Sequence, residues 1–259
     1  MRIEKHIIDK NFSEAANTYD LWAKHQNRIA KTLSSHIPIL ANINNILDLG
    51  CGTGNSIESL LSLYPDADVL GVDIAEGMIE YCREKWKDYK KINFHQCDIE
   101  DLELSQKYDL IISSCSLQWL TDIKSTFNKF LNCMNPGGYL ALAIPVEGSL
   151  NELKHSYVQV FSSDIPGLYF QNENMLIDAI NQNRVKNCHT FTEVVSEYYE
   201  SLDVLRYFRK IGVTFSNQHN YKTKSISEIR MLMKQYQQDF MLNNRLPISY
   251  KILYLIVEV

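Results

Sequence analysis

The sequence predicts an α/β protein built on a mostly parallel seven-stranded sheet, with helices on both faces and a helical lid inserted after the fifth strand. Three observations carry that prediction. The apolar run Ile46-Leu47-Asp48-Leu49 enters a turn with glycines at 50, 52 and 54. A second apolar strand, Val69-Leu70-Gly71-Val72-Asp73-Ile74, follows one short helical segment and places Asp73 19 residues past Gly54. Strand-like and helix-like segments then alternate to about residue 147, as βαβ units of a parallel sheet do.

A turn that doubles back beneath a ligand needs residues without Cβ. The dinucleotide fingerprint spaces its glycines G-x-G-x-x-G. Here the third glycine comes one residue early, and Asn55 stands where the helix-packing glycine would be. Asp48 precedes the first glycine by two residues, where a carboxylate suits a cationic ligand and opposes a pyrophosphate. Ile57, Leu60, Leu61 and Tyr64 then keep the helical period until Pro65-Asp66 stops it. A carboxylate at the end of the second strand, Asp73, can accept from both ribose hydroxyls or cap a helix over 75–87.

Ile92–Ile99 reads as a third strand ending in Asp98, and Tyr108–Ser114 as a fourth. Residues 122–134 read as a helix closed by Asn135-Pro136-Gly137-Gly138, and Tyr139–Ile144 as a fifth strand. Ligands in open α/β sheets bind at the carboxyl ends of the strands, where the strand order reverses. Asp48, Asp73, Asp98 and Ser114 all map to those ends. Beyond 148, helical periodicity near 151–161 and 173–181 predicts an insertion over the sheet edge. A strand over 190–199, helices over 201–211 (ending at Gly212) and 225–243, and a last strand over 250–259 complete the chain. The expected plan is a single domain with an N-terminal helical cap (1–44), a cofactor-binding core (45–147), the lid (148–189) and C-terminal strands with basic helices (190–259).

With 259 residues, 45% hydrophobic and 22% charged, the composition suits one globular core. No apolar run approaches the ~20 residues of a membrane span, and Met1–His6 has no signal-peptide apolar region. The cysteines at 51, 82, 97, 115, 133 and 188 form no C-x-x-C pair and predict buried thiols in a reducing, cytoplasmic setting. No metal-ligand spacing and no Walker loop occurs. The net charge of −5 hides an asymmetry. Residues 204–234 hold seven basic residues against one acid, Glu228, which reads either as a solvated face or as a docking patch for an acidic partner. Overall acidity disfavours nucleic acid.

The D-x-G-x-G-x-G run with Asp73 resembles the class I S-adenosylmethionine-dependent methyltransferases, which have a Rossmann-like fold. The resemblance implies S-adenosyl-L-methionine as cofactor. It implies contacts from Asp48, Gly50, Cys51, Gly52 and Gly54 at the turn, and from Asp73, Ile74 and Met78 after the second strand. Asp98 would hold the adenine amino group, with Ile99 meeting the ring through its backbone N–H, and Ser114 would close the set. More specifically, Phe12-Ser13-Glu14-Ala15-Ala16-Asn17-Thr18-Tyr19-Asp20, Leu117-Gln118-Trp119 and Gly148-Ser149-Leu150-Asn151-Glu152-Leu153 resemble the malonyl-[acyl-carrier protein] O-methyltransferases of biotin synthesis. That resemblance implies a malonyl-acyl carrier protein as methyl acceptor and partner, with Tyr19, Gln118 and Trp119 walling the reacting groups. Trp119 equally suits a core position against the 122–134 helix. Arg206, Arg209, Lys210 and Arg230 would receive the acidic carrier, and a lid arginine would pair with the malonyl carboxylate. A carboxylate is already ionised at pH 7, so the lack of a general base is no objection. The alternatives are a methyltransferase for a small free acid or quinone-like ring, and a non-catalytic cofactor-binding protein.

Overall fold

The computed structural model describes residues 5–39, 43–165, 169–211 and 224–259. Its seven strands run β1 (Asn45–Leu49), β2 (Asp68–Asp73), β3 (Ile92–Gln96), β4 (Tyr108–Ser114), β5 (Met134–Pro145), β6 (Asn187–Tyr199) and β7 (Leu246–Glu258). They lie side by side in the order β3-β2-β1-β4-β5-β7-β6. The first five are mutually parallel, while β7 is antiparallel to both β5 and β6. Strand β1 pairs with β2 on one side and β4 on the other, so the order reverses there and opens a crevice beyond their carboxyl ends.

Alternation along β1 sends Ile46 to one face and Leu47 and Leu49 to the other, each into its own core. Helices α1 (Lys5–Trp22), α2 (Lys24–His36), α3 (Asn55–Leu63), α4 (Glu76–Lys85) and α5 (Ile123–Asn132) flank the parallel half. Helix α2 buries Ile29, Ala30 and Leu33 against the first core. Helix α5 buries Phe127 and Phe130 in the second, its amino end capped by Asp122, which accepts from the Ser125 N–H at 3.0 Å. After β5 come α6 (Asn151–Phe161) and α7 (Glu173–Asn181), then α8 (Ser201–Lys210) and α9 (Ile226–Phe240). The two helices of the insertion part company: α6 packs on α9 and β7, and α7 packs on α5.

Some boundaries differ from the sequence-based expectation. Strand β3 stops at Gln96, so Asp98 stands on the loop beyond it. The 122–134 helix ends at Asn132, and Asn135–Gly138 belongs to β5, where the pairing with β4 shifts register and Gly137 takes φ 77°. The last helix stops at Phe240. Asn243 and Asn244, both left-handed, then turn the chain straight into β7. Gly212 and Lys222 lie outside the described residues.

Beneath α8 lies a polar cluster with no local signature among the residues that form it. The fully buried His25 donates from Nε2 to the Ile248 carbonyl at 2.7 Å, which leaves Nδ1 to accept from the Tyr207 hydroxyl at 3.2 Å. Burial lowers the imidazole to about 4, so it stays neutral and the cluster can be fully hydrogen-bonded without a buried charge.

Candidate functional site

At the crevice, three left-handed glycines carry the chain from β1 into α3: Gly50 at φ 70°, Gly52 at φ 53° and Gly54 at φ 79°. The Gly50 and Cys51 N–H groups both donate to the Val72 carbonyl, at 2.7 and 3.0 Å, tying the turn to β2. At Gly50 a Cβ would fall 2.2 Å from that of Ser116, so no other residue fits. Ser116 completes the closure by donating to the Leu49 carbonyl at 2.9 Å.

A cavity of about 640 Å³, mouth included, opens above this turn, within the range of small-molecule sites. Gly50 and Gly52 form its floor. Asp73, Ile74 and Met78 line one side, and Asp98, Ile99 and Ser114 line the others. The Asp73 carboxylate accepts from the Gly52 N–H through Oδ2 and from the Ala75 N–H through Oδ1, each at 2.9 Å. It therefore serves as ligand wall and helix anchor together. Burial raises its pKa, opposed by the amides of Ala75 and Gly52.

The remaining turn residues sit behind the wall. Cys51 points inward, beside Gly71 and Cys82. Gly54 faces Trp86, whose Nε1 would lie 2.8 Å from an added Cβ, so the third glycine admits α4 and does not line the cavity. Asp48 lies under the turn, wholly buried, with neither carboxylate oxygen partnered. Burial, and then the Asp73 charge, push its carboxyl up to about 8. An orphaned acid below a cavity is what a site for a cation would leave when described without one. With the glycine floor and Asp73, this fits a sulfonium-bearing adenosyl cofactor.

The roof is helix α1. Its cavity-facing residues, Lys5, Ile8, Phe12 and Tyr19, fall at one-sided helical spacing. Asp20, next to Tyr19, accepts from Thr53 Oγ1 at 2.6 Å and from Asn55 Nδ2 at 3.2 Å, which pins the roof to the glycine turn. Burial pushes the Tyr19 phenol well above its ordinary value, so it stays protonated and can donate. Trp119 joins the wall and meets Phe12 edge-on, with centroids 6.0 Å apart.

Gln118 is turned away from the cavity: its Nε2 donates to the Cys115 carbonyl at 2.8 Å, and its Oε1 is buried without a partner. Cys115, a wall residue that sequence reasoning passed over, holds φ 56°, and burial pushes its thiol up to about 12. It is no nucleophile at neutral pH. Lys5, Ile8, Phe12, Ser116 and Leu120 are further wall residues outside the expected set. The helical spacing of Lys5, Ile8 and Phe12 was the signal that could have found three of them.

Of the basic residues, Arg206 and Arg230 are exposed on α8 and α9, and Lys210 is half-buried. Arg206 pairs with Asp203 at 3.1 Å. Lys224 lies over the Phe161 ring at 3.8 Å, inside the insertion. Arg209 lies on α8, with its side chain outside the described residues. Lys5 is the one cation on the cavity wall among the described residues. Among the described residues no helix is long and apolar enough to cross a membrane.

A methyltransferase-domain family model matches residues 42–245. Malonyl-[acyl-carrier protein] O-methyltransferase of Acetivibrio thermocellus is 30% identical, covering 98% of this chain and 93% of its own. The enzyme of that name from Anoxybacillus flavithermus is 34% identical over 92% of this chain and 91% of its own. Among solved structures, the YcgJ protein of Bacillus subtilis has a TM-score of 0.62 at 13% identity, covering 89% of this chain and 97% of its own, which speaks to fold alone. With the domain model spanning most of its length and such relatives matching nearly all of it, the chain belongs to the malonyl-[acyl-carrier protein] O-methyltransferase family.

Proposed function

We propose that this protein transfers a methyl group from S-adenosyl-L-methionine to the free carboxylate of a malonyl-acyl carrier protein. One observation carries the reading beyond the family name. The two segments most specific to that family, Phe12–Asp20 and Leu117–Trp119, converge on one cavity, with Phe12 and Tyr19 in the roof and Trp119 in the wall. The expected site roles follow. Gly50, Gly52, Asp73, Ile74, Met78, Asp98, Ile99 and Ser114 hold the cofactor, and Tyr19 and Trp119 hold the acceptor. Asp48 supports the cationic end from below. Bound there, the cofactor supplies an electrophilic methyl group on sulfur.

The chain's own task is alignment and exclusion of water. The malonyl carboxylate arrives ionised, so no residue need take a proton, and the protonated thiol of Cys115 fits that economy. The Tyr19 hydroxyl donates to an acceptor oxygen and points the other at the methyl. Tyr19→Phe should therefore lower kcat by about tenfold to a hundredfold, the worth of one well-placed hydrogen bond, with cofactor affinity changed less than threefold. Equal loss in both, or in neither, would return Tyr19 to packing.

The test of the whole reading is methyl transfer from labelled cofactor to malonyl-carrier protein, malonyl-coenzyme A and free malonate. The carrier-borne substrate should be strongly preferred. Preference for a free acid would overturn the acceptor assignment and leave the cofactor site intact. Exposed Arg206 and Arg230 are proposed to steer the acidic carrier. Reversing both to Glu should raise KM for malonyl-carrier protein about tenfold at low salt, and less as salt screens the charges. A KM unmoved at every ionic strength would make these residues ordinary solvated surface.

A further inference from the structure

Helix α1 is attached unlike its neighbours. It buries only Ile8, Ala15 and Ala16 along Lys5–Trp22, whereas the shorter α2 buries five residues against the sheet. It reaches α2 through a single residue, the fully buried Ala23, whose ψ of 39° departs from the helix while its N–H and carbonyl still bond to Tyr19 and Asn27. Phe12, Tyr19 and Trp22 are partly buried against the neighbouring clusters, and polar bonds complete the attachment. At the pivot end Asp20 grips Thr53 and Asn55. In the middle, Asp9 Oδ1 and Ser13 Oγ accept from the Glu76 and Gly77 N–H groups, at 3.1 and 2.9 Å, at the start of α4.

At the far end stands Lys5, on the cavity wall. Its ammonium lies 3.1 Å from Asp98 Oδ1 and 2.8 Å from Glu100 Oε2. Glu100 is fixed from elsewhere, accepting from the Thr121 and Asp122 N–H groups at 3.0 and 2.7 Å. Burial pushes the Glu100 carboxyl up, but Lys5 and these donors outweigh it and hold it at about 2. The acids are thus anchored in the body, and the lysine is the partner that travels with the helix. All three side chains are mostly buried, 26% exposed for Lys5 and 16% for each acid, so the pair is screened less than a surface one.

We propose that α1 swings on Ala23 as the roof of the cofactor cavity and that Lys5, clasped to Asp98 and Glu100, sets how long the cofactor stays. The inference rests on the reading of this cavity as the cofactor site. Each turnover must release the demethylated product and admit fresh cofactor beneath Ile8 and Phe12. Lifting α1 breaks the Lys5 pairs, so those pairs act as a barrier to exchange.

The test follows S-adenosylhomocysteine dissociation by stopped-flow tryptophan fluorescence, with Trp119 on the wall as reporter, in wild type, Lys5→Met and Lys5→Arg. Lys5→Met keeps the aliphatic stem and removes the charge. It should speed dissociation about tenfold, in line with loss of a partly buried ion pair, and hasten amide exchange over residues 5–13. Lys5→Arg should stay within about threefold of wild type. Added salt should speed release from wild type and leave Lys5→Met unmoved. Unchanged melting temperatures would separate the effect from unfolding. An unaltered dissociation rate in a folded Lys5→Met that binds S-adenosylhomocysteine would overturn the clasp alone. Failure of wild type to bind that ligand would overturn the cofactor reading and the clasp with it.

Discussion

Asp73→Ala should cost at least about a hundredfold in affinity for S-adenosylmethionine, the largest loss expected at any single wall position. Two charge-assisted hydrogen bonds to ribose hydroxyls are worth about 1.5–3 kcal/mol each. The same carboxylate also anchors the Gly52 and Ala75 amides, so its removal loosens both the glycine floor and the start of α4. The melting temperature should therefore fall as well. Asp73→Asn, which keeps one acceptor oxygen, should retain more stability than affinity. Calorimetry with S-adenosylhomocysteine on folded variants is the check, and near-normal affinity in Asp73→Ala would remove the residue from the binding site.

Asp48→Asn should do the opposite to stability while harming binding. The folded carboxyl is held at about 8 by burial and by Asp73, against about 3.9 in an unfolded chain. Between those values the folded protein keeps a proton that the unfolded chain has released. The stability of the cofactor-free protein therefore falls as pH rises from about 4 to about 8. Asparagine removes that linkage. At pH 8 the variant should be more stable than wild type by several kcal/mol, since each unit between the folded and unfolded values corresponds to about 1.4 kcal/mol, and near pH 4 the difference should vanish. Affinity for the cationic cofactor should drop about tenfold or more, and its rise with pH in wild type should flatten. Melting curves and calorimetry across pH 5–9 read both effects. A variant that binds normally would make Asp48 a burial accident.

Which features were legible in the sequence follows from how local their causes are. The glycine turn, β1, β2, β4 and the acids at the strand ends could be read directly, because a missing Cβ, an apolar run and an acid at its end are all written in consecutive residues. The antiparallel end of the sheet was less exact. The expected last strand starts at Tyr250, but β7 begins at Leu246; Pro247 is tolerated because there β7 pairs with β6 alone, and the stretch facing β5 starts only at Ile252.

A strand–glycine turn–helix site with Asp73 at its rim is written in the residues themselves, since they admit few other conformations. Only the folded chain sets which of them line the cavity. Gly54 serves Trp86, Gln118 turns back to the Cys115 carbonyl, and Cys51 points into the core. It also decided that α1 folds over the cavity, bringing Lys5 to Asp98 across 93 residues of chain. No periodicity encodes such a contact. It exists because the sheet's strand order sets the carboxyl ends of β1, β2 and β4 together, and because Asp9, Ser13 and Asp20 find their partners only once α3 and α4 have docked.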